Sequence, residues 1–214
     1  MGRKPDLKVR ELILQQAEHL IHLQGYHSTC MDDIAKNSGM TKANLFHHYG
    51  SKEELGLAVL DLKMACYRKS HVEPLCAQGD VAEAVFKMFA DAAKFYDGNG
   101  CKAGCFVGNI ALEMSDINEA FRLKVSEFFS QWAKGIAGCL SRCQDAGHFD
   151  ANLDPRSSAE AILALYEGAI MLARTRRDAA VFKRVGKIAR SLLDQHKIVH
   201  RRTTTMGPKT PCGC

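Results

Sequence analysis

Lys42, Ala43, Asn44 and His47 fall in one short stretch whose side chains could do recognition chemistry. If that stretch is helical, successive residues turn by about 100°, so Ala43 and His47 point away from Leu45 and are flanked by Asn44 and Phe46. The outward face then offers a small group, an amide, an imidazole and an aromatic ring, with a cation at its start. Amides and cations on a helix can read base edges in a DNA major groove. On that reading Lys42, Ala43, Asn44 and His47 lie at or near base edges. Thr29, Thr41, Phe46, His48 and Lys52 position the phosphate backbone. The same residues would also serve as the polar face of an ordinary surface hairpin.

Cysteine supplies a second chemistry. Cys105 follows Gly104 in Lys-Ala-Gly-Cys-Phe-Val-Gly-Asn, near the start of a helix. The helix dipole and nearby Lys102 would favour its thiolate, lowering the pKa and making it nucleophilic. Cys101 stands one turn earlier as a resolving thiol; the alternative is that Cys105 is a small buried hydrophobe. Cys139 and Cys143, with His148, give three ligands at helical spacing, short of a four-coordinate structural metal site, and core thiols fit them better. Cys212 and Cys214 with His196 and His200 invite a soft-metal reading, but lie on a tail ill-suited to hold ligands. No metal and no cofactor is expected.

The elements that position these groups are helices throughout. A first helix spans residues 7–24 and ends at Gly25. Thr29, with Asp32 three residues on, caps a second. Ser38-Gly39 turns the chain, Thr41 caps a third, and Leu45 and Tyr49 share its inward face with Met40. Ser51 and Glu54 open a fourth helix running to about His71. Asp80 caps a fifth to about Asp97; a short sixth covers 105–114; Asp116 caps a seventh to about Ala146. Asp154-Pro155 starts the eighth, to about Arg177, and the ninth runs from about Asp178 to His196. No alternating strand pattern appears, so the fold class is all-α, with about nine helices. The expected organisation is an N-terminal three-helix unit over residues 1–52, a helical domain over 53–196, and a basic, disordered tail over 197–214.

Bulk properties narrow the classes further. The net charge of +5 is weak evidence for nucleic acid, because the acid-free tail with Lys197, Arg201, Arg202 and Lys209 supplies most of it. Local basic residues matter more: Arg3, Lys4, Lys8 and Arg10 form an N-terminal arm able to reach phosphates, or a merely solvated tail. No apolar run is long enough for a membrane span. The N-terminus is unlike a signal or transit peptide, so a soluble cytoplasmic protein is expected. Its nine cysteines are then expected as reduced thiols.

Gly25-Tyr26, Thr29, Asp33-Ile34-Ala35, Gly39-Met40-Thr41-Lys42, Leu45-Phe46-His47-His48-Tyr49 and Ser51-Lys52-Glu53-Glu54-Leu55 together resemble the signature of the tetracycline-repressor (TetR/AcrR) family, over residues 8 to 56. The family often has Tyr where Phe46 stands, so a phenol–phosphate hydrogen bond would be missing. The resemblance implies a ligand-responsive transcriptional regulator, not an enzyme, that binds double-stranded operator DNA. It implies a homodimer through the last two helices and a pocket for a small-molecule inducer of unknown class. Candidate lining residues are Met88, Phe89, Phe95, Cys105, Phe106, Asn109, Phe129, Trp132, Tyr166 and Met171. The segment around Cys105 resembles a subgroup in which that cysteine answers reactive electrophiles or oxidants. A cysteine-dependent enzyme and a helical adaptor that never touches DNA are the alternatives.

Overall fold

The computed structural model describes residues 6–76 and 80–198. Among these residues it is all-helical: α1 (Leu7–Gln24), α2 (Met31–Asn37), α3 (Lys42–His48), α4 (Lys52–Tyr67), α5 (Glu73–Cys76), α6 (Val81–Gly98), α7 (Phe106–Met114), α8 (Glu119–Asp145), α9 (Pro155–Arg176) and α10 (Ala180–Asp194). The four-residue α5 is the one helix beyond those expected. The expected end of α4 also changes: at Tyr67 the helix widens into a π-helical turn, Arg68–Val72, that leads into α5.

Side-chain caps set most helix starts. Asp6, Thr41, Ser51, Asp80 and Asp154 each accept from backbone amides of the first turn, satisfying donors that a helix leaves open. Two expected caps are corrected. Helix α2 is capped by Cys30, whose Sγ accepts from Asp33 N at 3.3 Å while the Asp33 carboxylate accepts from Cys30 N. Thr29 is fully buried instead, and its hydroxyl donates to Gly25 O at 2.8 Å, holding the end of α1. Helix α8 is capped by Asn118, not Asp116, because Asn118 Oδ1 reaches Phe121 N at 3.1 Å.

One apolar core runs through the described chain. Helix α10 packs on α6 and α9, and α9 on α8. Gly186 allows the α6–α10 crossing: a Cβ there would stand 2.6 Å from Phe89 Cβ. Gly56 does the same for α4, where a Cβ would meet the rings of Tyr26 and Phe121. Helix α4 therefore touches both the first three helices and the rest. Lys197 and Ile198, expected in the tail, are held to the body. Phe149 and Lys197 form an isolated antiparallel bridge, and Lys197 pairs with Asp80 at 2.9 Å and Asp194 at 2.8 Å. Residues 199–214, with His200, Cys212 and Cys214, lie outside the described residues, as does the basic arm through residue 5.

Candidate nucleic-acid interface and ligand cavities

Helices α2 and α3 meet at a tight turn. Ile34 and Ala35 of α2 are buried, Gly39 takes φ 69°, and Met40 N donates to Ala35 O at 2.8 Å. The positive φ suits glycine, which has no Cβ to clash. Leu45 and Tyr49 are then buried, with 0% and 1% exposure, and fix the roll of α3. The opposite face, with Thr41, Lys42, Ala43, Asn44, Phe46 and His47, is exposed. Thr41's hydroxyl accepts from Asn44 N, and Lys42 Nζ pairs with Asp32 Oδ2 of α2 at 3.0 Å.

The other three candidates sit differently. Thr29 is buried as described. His48 is buried; desolvation, followed by His47 and Arg10, pushes its pKa down, so the imidazole is neutral. Its carbonyl accepts from Arg10 Nη1 at 2.5 Å, and the guanidinium lies 4.2 Å from the Tyr49 ring centroid. Arg10 is thereby pinned to the end of α3. Lys52 is half-buried over the Tyr26 ring, 4.4 Å from its centroid, and donates to His27 O.

A contact that sequence spacing did not suggest joins this unit to α7. The Glu113 carboxylate accepts from Tyr26 N at 2.9 Å and His27 N at 2.6 Å, gripping the turn between α1 and α2. At the other end of α7, His22 Nε2 lies 3.1 Å from Gly104 O, and burial lowers its pKa.

Two cavities flank that end. The first, about 640 Å³, lies between α4, α6 and α9, and Tyr67, Met88, Phe95, Tyr96 and Tyr166 line it along with His22 and Lys63. The second, about 690 Å³, is a groove along α7, α8 and α9. Of the expected lining residues, Met88, Phe95 and Tyr166 face the first; Cys105, Asn109, Phe129 and Met171 face the groove. Phe89, Phe106 and Trp132 line neither and are core side chains. Tyr67, Tyr96 and Glu167 were missed, since their convergence depends on which helices pack together.

Cys105 stands in the wall between the cavities, with Tyr67 Oη 3.7 Å from its Sγ on one side and Glu167 on the other. It does cap α7, accepting from Gly108 N at 3.3 Å. The expected low pKa is nevertheless overturned: burial, then Glu167, pushes the thiol up to about 12. Desolvation of the charged form exceeds what one helix terminus supplies, and Lys102 is exposed to solvent. Glu167 is itself raised to about 7 by burial. Cys101 does not sit one helical turn before Cys105, because the chain there is a loop with positive φ at Cys101, Ala103 and Gly104; its buried thiol is also pushed up. Cys139 is disulfide-bonded, correcting the expectation of nine reduced thiols, and Cys143 is free. Among the described residues no three of His, Cys, Asp and Glu converge as a metal site. None of the described helices is long and apolar enough to cross a membrane.

An exposed, core-anchored second helix beside a cavity-bearing helical domain is the build of a helix-turn-helix regulator, and the comparisons agree. Residues 13–59 match the model of bacterial regulatory proteins of the tetR family, and residues 82–189 that of the tetracyclin repressor-like C-terminal domain. The regulator YxaF of Bacillus subtilis (strain 168) is 31% identical over 79% of this chain and 86% of its own. The repressor DhaR of Mycobacterium sp. (strain GP1) is 25% identical over 83% and 87%. A TetR regulator structure from Chloroflexus aurantiacus superposes with a TM-score of 0.79 at 25% identity, over 89% of this chain and 96% of that one. The chain belongs to the TetR family. It is a DNA-binding, ligand-responsive transcriptional regulator of the homodimeric kind.

Proposed function

We infer that the protein is a cytoplasmic repressor, not an enzyme, released from a near-palindromic operator by a small molecule. The observation that carries this is the exposed face of α3, held outward by buried Leu45 and Tyr49. Lys42, Ala43, Asn44 and His47 would meet base edges. Thr41 and Phe46 would face the backbone, while Thr29, His48 and Lys52 position it from within the fold. Residues 1–52 form the reading unit and 53–196 the ligand-binding and pairing domain. Exposed Leu172, Ile188 and Leu192 on α9 and α10 supply an apolar surface for pairing with a second copy.

The inducer would bind where the two cavities meet, beside Cys105. In the covalent version Cys105 Sγ would form a bond to a ring carbon of a quinone as its C=C π bond breaks; the electron pair would move onto the quinone oxygen, and the thiol proton would pass through the Glu167 carboxylate to that oxygen, leaving a thioether-linked hydroquinone. Selection of bound sequences from random DNA tests the reading. The expected product is an inverted repeat with half-sites about 34–36 Å apart. Unenriched sequence, or a single half-site bound as tightly as the pair, would refute it. For the covalent version, quinone should release DNA from the native protein and not from Cys105→Ser.

A further inference from the structure

The groove on α7, α8 and α9 contains a polar group that its neighbours leave unsatisfied. Glu167 leans from α9 against α7, where a Cβ on Gly108 would stand 2.7 Å from its Oε2, so the side chain fits only because residue 108 is glycine. Cys105 lies beside the carboxyl, while Oε1 is buried with no hydrogen-bond partner. The phenols Tyr67, Tyr96 and Tyr166 line the neighbouring cavity, and the groove's other acid, Glu160, is paired with Arg156. Arg174, the cation on the same wall, is turned to Asn109 Oδ1 at 3.2 Å. A buried carboxyl oxygen without a donor is costly and calls for an explanation.

Glu167 also lines the groove. Phe129, Leu163, Ile170 and Met171 line it around Glu167, and about 690 Å³ accommodates a small-molecule body. We propose that this groove binds an apolar ligand bearing a protonated primary amine, whose N–H groups pair with Glu167 while its hydrocarbon lies along Phe129 and Met171. An anionic ligand would set like charge against Glu167. A neutral alcohol would meet the carboxyl without the gain of a charge-assisted hydrogen bond. This names an inducer class for the regulator inferred above and rests on that reading only for its effect on DNA.

Binding carries a pH signature. The Glu167 carboxyl ionises near pH 7, so amine affinity rises between about pH 6 and about pH 8 as the carboxylate forms. The neighbouring phenols and the Cys105 thiol are all held up by burial and stay neutral over that window.

The test is calorimetric titration of the full-length protein, without DNA, using decylammonium, decanol and decanoate. Decylammonium should bind at least about tenfold tighter than decanol, with decanoate the weakest. Glu167→Gln should bring decylammonium down to the decanol level and leave decanol unchanged; the retained decanol binding shows that the variant is folded. Phe129→Ala should weaken all three together. Equal affinity for ammonium and alcohol, or undiminished ammonium binding by Glu167→Gln, would overturn the proposal. So would dimer dissociation by decylammonium in sedimentation, since the groove would then be a pairing surface. Glu167-dependent binding that releases no operator DNA supports the groove and counts against the regulatory reading alone. Release that Glu167→Gln abolishes supports both.

Discussion

Glu167 and Lys42 mark two kinds of charge in this protein, one costly because it is buried and one useful because it is not. The Glu167 carboxyl titrates near 7 rather than near 4.5. The folded state therefore holds a proton that the unfolded chain has lost between those values, and stability falls as pH rises through the window. Glu167→Gln removes that dependence. It should raise stability by at most about 3 kcal/mol at pH 8, and by far less near pH 5, in denaturant titrations at the two pH values. Lys42 is exposed at the start of α3. Lys42→Ala should weaken operator binding and lower the slope of log affinity against log salt by about one, measured by gel shift. The exposed face of α3 was legible in the sequence because Leu45 and Tyr49 fix its direction by spacing alone. The buried state of Cys105 was not, because the helices that bury it are distant in sequence, and Glu167, the next cause of its raised pKa, stands sixty-two positions away. Thr29 misled for a related reason: hydroxyls commonly cap helices, and nothing local showed that Gly25 O would take this one.

At the scale of elements, α7 is the member that reaches both ways. Its first turn borders the groove, and Glu113 near its last turn holds two backbone amides between α1 and α2. Hydrogen bonds to a charged acceptor contribute about 1.5–3 kcal/mol. Glu113→Ala should therefore release protection of the Tyr26 and His27 amides in hydrogen exchange, while α9 and α10 keep theirs. The close crossings give a second expectation. Gly186→Ala would drive a methyl into Phe89 and should destabilise by about 1–3 kcal/mol in a thermal melt. Helix starts at Asp80 and Asp154 could be read directly, since an acidic cap leaves a local pattern. The break of α4 at Tyr67 could not, because no proline or glycine marks it.

For the whole molecule, the proposed function depends on two reading units held at a fixed separation. The exposed apolar positions of α9 and α10 are where pairing can be interrupted without touching α3. Ile188→Glu should shift the protein toward monomer in sedimentation equilibrium and reduce affinity for a two-half-site operator much more than for one half-site. The all-helical class and the order of helices followed from apolar periodicity. How those helices form two cavities with a shared wall depended on packing that no local pattern records.

The contact between Lys42 and Asp32 has a consequence for selectivity. In the proposed function this cation reaches DNA with its own tethered counterion, and contact with a phosphate would mean handing the ammonium over while an acid remains close to the duplex. Loose, sliding encounters bear that repulsion without the base contacts that offset it. Asp32→Asn should therefore tighten binding to arbitrary DNA more than to the operator, leaving a stickier and less discriminating protein.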